Sequence, residues 1–104
     1  MEITDAVTAL DALAQATRLE IFRLLVRHGP QGVPAGRIAE ELDLPNATLS
    51  FHLAQLRHAG LVGSRRQGRS LIYSAAFGAM DALIVYLTEN CCQEVVGRNI
   101  GERP

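Results

Sequence analysis

The only two cysteines of this 104-residue chain are neighbours, Cys91 and Cys92. Thiolates are nucleophiles and soft ligands, so an adjacent pair suits soft ions over hard cations. Adjacent Cα atoms lie about 3.8 Å apart, below the roughly 4.4 Å that an unstrained disulfide needs, so a structural crosslink within the pair is not expected. In an intact helix the two side chains would diverge by about 100°, and joint chelation would require the helix end to unwind or bend. A plainer reading makes Cys91 part of an apolar stripe and Cys92 incidental. With no Cys-x-x-Cys spacing, no cofactor loop and no nucleophile set beside a base and an orienter, the pair does not point to an enzyme.

The second feature with chemical content is residues 45–62, PNATLSFHLAQLRHAGLV. At about 100° per residue, Leu49, Leu53 and Leu56 form a narrow apolar stripe for a core. The opposite face carries Ala47, Thr48, Phe51, Ala54, Gln55 and His58, flanked by Ser50 and Arg57 on one side and His52 on the other. No carboxylate occurs there. Small, hydroxyl, amide and imidazole groups without negative charge suit the major groove, where base edges are read at close range. Asn46 is expected to cap this helix and Gly60 to stop it in the left-handed conformation.

The elements needed to hold these residues follow from length, charge and periodicity. A chain of this size is expected to form a single domain, residues 1–104, in the range where dimerisation adds useful burial. It has no apolar run near the roughly 18 residues of a membrane span and no basic start followed by a hydrophobic segment, so a cytoplasmic protein is expected. The net charge of −1 hides an uneven distribution, since residues 44–76 hold four arginines and no acid while the rest sums to −5. The basic footprint is therefore local, and all ten cations of the chain are arginines.

In chain order, a first helix capped by Thr4 is expected to run to about Gln15, with Ile3, Val7, Leu10 and Ala14 on one stripe. A second, capped by Thr17, runs to His28, with Leu19, Phe22, Leu25 and Val26 inward. Residues 30–34, holding two prolines, read as a loop. Residues 35–42 form a short third helix with Ile38, Ala39 and Leu42 inward, and Asp43, Leu44 and Pro45 turn the chain into the reading helix, residues 46–59. Two helices joined by so short a turn have helix-turn-helix spacing. Residues 61–74 read as a hairpin, the wing, with a Gln67–Gly68 turn and Arg65, Arg66 and Arg69 at a tip suited to backbone phosphates or the minor groove. A last helix, residues 76–96, repeats Phe77, Met80, Ile84, Leu87 and Cys91 at three and four residues. With little core left to cover, it is expected to pair with the first helix across a two-fold dimer interface. Two reading helices one DNA turn apart would demand an inverted-repeat operator. Residues 97–104 read as a frayed tail.

The expected fold is thus mainly α with a β-hairpin wing, a winged helix-turn-helix in the order ααααββα. That order, with ELDLPNATLSFHLAQLRHAGLV at its centre, resembles the ArsR/SmtB family of metalloregulatory repressors over almost the whole chain. The resemblance implies a homodimer that binds double-stranded DNA and leaves its operator when an effector binds. Carried over by position, it makes Asn46, Ala47, Ser50 and Phe51 reading residues, to which the helical wheel adds Thr48 and Gln55; His52, on the flank, reads either as a phosphate contact or as a partly buried structural imidazole. Phe51 stands where the family often has histidine, and its ring could touch a thymine methyl.

The resemblance also bears on the effector, since no other cofactor is called for. The family's helix-turn-helix metal site needs Cys-x-Cys before the reading helix, and its last-helix zinc site needs Asp and His at helical spacing. This chain has no cysteine in residues 36–44 and no histidine beyond His58. A vicinal pair in the last helix resembles the arsenic-responsive members, so Cys91 and Cys92 are expected to bind As(III), methylarsenite or Sb(III). Relatives of that type can add a third cysteine from the tail, which residues 97–104 lack; the third position could be a small thiol, water or hydroxide, a cysteine of the partner subunit, or a methyl group, the last making methylarsenite a natural two-thiolate ligand. The alternatives are a repressor answering another thiol-reactive signal, Hg(II), an oxidant or reactive sulfur, and a winged-helix module for protein partners.

Overall fold

The computed structural model describes residues 1–94. Its elements are α1 (Ile3–Leu13), α2 (Ala16–His28), β1 (Val33–Pro34), α3 (Ala35–Leu42), α4 (Asn46–His58), β2 (Val62–Gln67), β3 (Ser70–Ala75) and α5 (Phe77–Thr88). This is the expected winged helix-turn-helix, with one strand more than the hairpin. One core runs through all of it, built on Ile21, Leu24 and Leu25 of α2, Ile38 of α3, the three leucines of α4, and Leu61.

The first helix begins two residues earlier than expected. Its cap is Glu2, whose N–H donates to Asp5 Oδ2 at 3.1 Å, while the hydroxyl of Thr4 does not cap. The face it buries is also different: Ala6, Ala9 and Ala12 are buried, whereas Ile3, Val7 and Leu10 are exposed. Alanine permits close helix approach, so the small residues meet the core and the large ones point away from it. On α2 the cap is Gln15 rather than Thr17, with Gln15 Oε1 accepting from the Arg18 N–H at 2.8 Å. Phe22 and Leu25 are buried and Val26 partly so, but Leu19 is exposed.

α3 has the expected bounds and ends on Asp43, which adopts the left-handed conformation (φ 53°) that Asp tolerates better than most residues. The Leu44 N–H then donates back to the Ala39 carbonyl at 2.9 Å, closing a Schellman-type stop. Pro45, not Asn46, holds the cap position of α4, and no side chain caps that end. A second stop of the same type follows α4: Gly60 sits at φ 77° and the Leu61 N–H donates to the Leu56 carbonyl at 3.0 Å.

The segment read as a loop supplies the third strand. Val33 pairs with Tyr73 and Pro34 with Ile72, giving a sheet of order β1-β3-β2. Proline is tolerated because β1 is an edge strand. Gly32 makes this approach possible: at φ 78° a Cβ would stand 2.6 Å from the Tyr73 carbonyl oxygen and 2.8 Å from Ile72 Cγ2. The added strand explains why Ile72 and Tyr73 are both buried where alternation predicts one inside and one outside. In the wing, Gln67 pairs with Ser70, so the turn is Gly68–Arg69, one residue later than expected. Gly68 alone has positive φ there, the pattern of a type II′ hairpin with glycine first.

The largest departure is at the end of α5. It stops at Thr88 rather than continuing to residue 96, of which 95 and 96 lie outside the described residues, as does the tail at 97–104. The Thr88 hydroxyl donates back to the Ile84 carbonyl at 2.8 Å, Glu89 is extended, and Asn90 turns left-handed at φ 60°. Threonine and asparagine both offer the backbone alternatives to helical bonding, and Asn is among the residues that enter the left-handed region most readily.

Gly32→Ala should therefore destabilise the fold by about 1–3 kcal/mol, since the new Cβ collides with backbone at a positive φ. Urea unfolding followed by circular dichroism measures this, and a midpoint equal to wild type would contradict the close approach.

Candidate nucleic-acid interface and thiol pair

α4 is held by one face. Leu49, Leu53 and Leu56 are at most 2% exposed, so the helix cannot rotate about its axis without pulling leucine into water. The opposite face is thereby set outward: Asn46, Ala47, Thr48, Ser50, Phe51 and Gln55 are all exposed. Phe51 is 58% exposed, a large apolar ring that the fold itself does not use.

His52 behaves differently from its neighbours. It is only half-exposed, its ring meets that of Phe51 edge-on with centroids 5.5 Å apart, and Nδ1 lies 3.5 Å from Arg18 Nη1 on α2. Burial, and then the Arg18 charge, hold its pKa below the ordinary 6.5. Both effects disfavour the imidazolium.

Between α4 and the wing runs an open cleft of about 370 Å³ lined by Ser50, Ala54, Arg57, His58 and Tyr73. Arg57, at the carboxyl end of α4, donates to Ser64 Oγ on β2 at 3.3 Å and ties helix to wing. This residue was placed on a flank of the reading face by periodicity alone, and only the fold brings it to the hairpin.

The three wing arginines are exposed but not equivalent. Arg65 Nη2 donates to the Gln31 carbonyl at 2.9 Å and lies 3.4 Å from Gln67 Oε1, so it braces the wing against the loop before β1. Arg65 stands on β2 opposite Ile72, not at the tip as expected. Arg66, opposite Leu71, points to the other side of the strand, and Arg69 occupies the turn.

Cys91 and Cys92 lie beyond the helix end, in the turn that follows Thr88, and both are exposed. The Sγ atoms are 2.9 Å apart and the Cys92 backbone is left-handed at φ 67°. The divergence expected of an intact helix does not arise, because there is no helix at this point. Among the described residues, no third Cys, His, Asp or Glu joins the pair to form a three-donor group. A pair of thiols so placed can offer two sulfurs to one soft centre.

A two-helix reading unit, a basic hairpin and an outward face free of carboxylates define a winged helix-turn-helix DNA-binding regulator. A family model described as a helix-turn-helix domain matches residues 13–65. The transcriptional activator HlyU of Vibrio cholerae is 33% identical over 88 residues, covering 85% of this chain and 79% of that protein. Among solved structures, an ArsR-like transcriptional regulator from Rhodococcus sp. RHA1 superposes with a TM-score of 0.73 at 27% identity, covering 82% of this chain and 77% of that one. The homodimeric winged helix-turn-helix domain of Mb0332 from Mycobacterium bovis, described as a possible ArsR-family regulator, does so at 0.68 and 26%, covering 93% and 89%. The chain belongs to the ArsR/SmtB family of DNA-binding transcriptional regulators.

The two faces of α4 should separate in mutagenesis. Leu53→Ala removes a side chain 2% exposed and should cost about 2–5 kcal/mol in denaturant unfolding, while Phe51→Ala should change stability by no more than about 0.5 kcal/mol. A large stability loss for Phe51→Ala would mean that its ring belongs to the core.

Proposed function

We propose that this chain is a homodimeric repressor that binds an inverted-repeat operator and is released when trivalent arsenic or antimony binds Cys91 and Cys92. The observation that carries the reading is the sulfur pair: two exposed thiols 2.9 Å apart in a non-helical turn directly after α5. Arsenite or methylarsenite would condense with both thiols. Each thiol gives its proton to a departing hydroxide, so two As–S bonds form, two As–O bonds break and two waters leave. The ligand is held as a ring closed on adjacent residues.

The subunit interface is assigned to α1 and α5, which pack on each other. Together they expose Ile3, Val7, Leu10, Ile84, Val85 and Leu87, an apolar surface of the kind that marks an interaction site. The Mb0332 domain, of similar fold, is homodimeric. Because only Glu89 and Asn90 separate the thiols from α5, closing a ring there would alter the end of an interface helix and the spacing of the two reading heads. Asn46, Ala47, Thr48, Ser50, Phe51 and Gln55 would face base edges, and Arg66 and Arg69 the phosphates.

A second reading keeps the regulator and changes the signal to Hg(II), an oxidant or reactive sulfur. It is favoured by the exposure of both sulfurs.

Fluorescence anisotropy on an inverted-repeat duplex, titrated with arsenite, methylarsenite, Sb(III), Hg(II) and a hydroperoxide, separates these. A trivalent arsenical or antimonial should release wild type at least about ten-fold more readily than Cys91→Ser/Cys92→Ser. Release by Hg(II) or hydroperoxide alone would favour the second reading. Equal response of wild type and double variant to every agent would remove the cysteines from signalling.

A further inference from the structure

Arg18 stands where three helices meet. Its backbone N–H is held by Gln15 at the start of α2. Its Nε donates to the Ala12 carbonyl at 2.7 Å, in the last turn of α1, and Nη1 reaches to 3.5 Å from His52 Nδ1 on α4. The last carbonyls of a helix lack intrahelical donors and carry the negative end of its dipole. α1 has no basic residue in its own last turn, so Arg18 supplies that cation from the next helix. The guanidinium therefore touches one helix that exposes the apolar face and the helix that exposes the reading face.

We propose that Arg18 is a positioning residue for operator binding, tying the carboxyl end of α1 to the reading helix through neutral His52, and that protonation of His52 loosens this tie and weakens DNA binding. The proposal rests on the reading that α4 meets DNA and α1 meets the second subunit.

The chemistry sets the direction. A guanidinium has donors and no acceptor, so it can bond to Nδ1 only when that nitrogen is bare and the ring proton sits on Nε2. An imidazolium offers donors at both nitrogens and adds a like charge, so the contact turns repulsive. Burial and Arg18 both hold the His52 pKa below 6.5, so the contact is intact at neutral pH and is lost as the pH falls. Arg18 is the charged group acting on the ring from α2. From α1 the neighbouring group is the uncharged Ala12 carbonyl, reached through Arg18, and α4 itself contains no carboxylate. The other charged groups on elements packed against α4 are Asp5 and Asp11 of α1, Glu20, Arg23 and Arg27 of α2, Arg37, Glu40 and Glu41 of α3, and Arg65 and Arg66 of β2; the charge that lowers the His52 pKa is that of Arg18. If His52 instead faced a DNA phosphate, protonation would have the opposite effect. It would strengthen binding and steepen its salt dependence.

The test measures the affinity of the full chain for a duplex that the wild-type protein selects from a randomised pool, at about pH 7.5 and about pH 5.5, across a salt series. Wild type should bind roughly five-fold more weakly at the lower pH, with the same salt slope at both. His52→Asn keeps an acceptor near the Nδ1 position but does not titrate, so its affinity ratio between the two pH values should fall to about one, and it should bind more tightly than His52→Leu. Arg18→Met should lose about the same five-fold at pH 7.5 with no change in salt slope. The ring ¹⁵N shifts of wild-type His52 at neutral pH, which need no variant, should report the Nε2–H tautomer.

Tighter binding on acidification, a salt slope that drops by about one in Arg18→Met, full pH dependence in His52→Asn, or an Nδ1–H tautomer would each overturn the proposal. Wild type that selects no duplex would remove the reading beneath it as well, whereas selection without these pH effects removes the proposal alone.

Discussion

The burial of Leu49, Leu53 and Leu56 is the constraint on which the rest of this molecule depends. Three leucines on one stripe lock the rotation of α4, and once that is locked every other residue of the helix has an assigned direction. The turn at Asp43, Leu44 and Pro45 sets where the helix starts, and the stop at Gly60 sets where it hands over to the wing. Two side chains then pin it sideways. Arg57 holds the wing at the carboxyl end through Ser64, and His52 meets Arg18 at mid-helix. The anchor is apolar and strong, while the lateral ties are polar and weaker.

Charge is arranged on the same plan. A chain of net charge −1 has no general affinity for polyanions, and it concentrates its positive character on residues 44–76. The fold divides even these arginines by task. Arg65 is committed to the Gln31 carbonyl and Arg57 to Ser64, so they hold the wing in place. Arg66 stands on the side of the strand and Arg69 in the turn, and the proposed operator contact assigns them to the phosphates. Arginine suits both tasks, since one planar fork can bond a carbonyl or a phosphate with fixed geometry.

Much of this was legible in the sequence because the signals were local. The sequence places α3 at residues 35–42 and the reading helix at 46–59, against observed ends at Leu42 and His58, since proline, aspartate and glycine mark those boundaries directly. β1 leaves no sequence signal because two residues have no periodicity, and its existence depends on Gly32 meeting a strand some forty residues away. On α1 hydrophobicity alone selects the face of Ile3, Val7 and Leu10, whereas close packing selects alanine. Cys91 fits an apolar stripe and so suggests a longer last helix, but the preference of Thr88 and Asn90 for other backbone arrangements overrides it. That override changes the chemistry, for it replaces two divergent thiols with two adjacent ones. His52 and Arg18 lie 34 residues apart, and no spacing rule could pair them.

The proposed dimer joins the apolar faces of α1 and α5 about a two-fold axis that would set two reading helices on one side of a duplex. The most direct check is sedimentation and affinity on two duplexes carrying the same selected inverted repeat, one unaltered and one with about 5 base pairs, half a helical turn, inserted at its centre. Two chains should bind the unaltered site as a unit, and the insertion should abolish that mode by turning one half-site to the opposite face. A single chain bound per site, or undiminished affinity after the insertion, would contradict the paired-head arrangement.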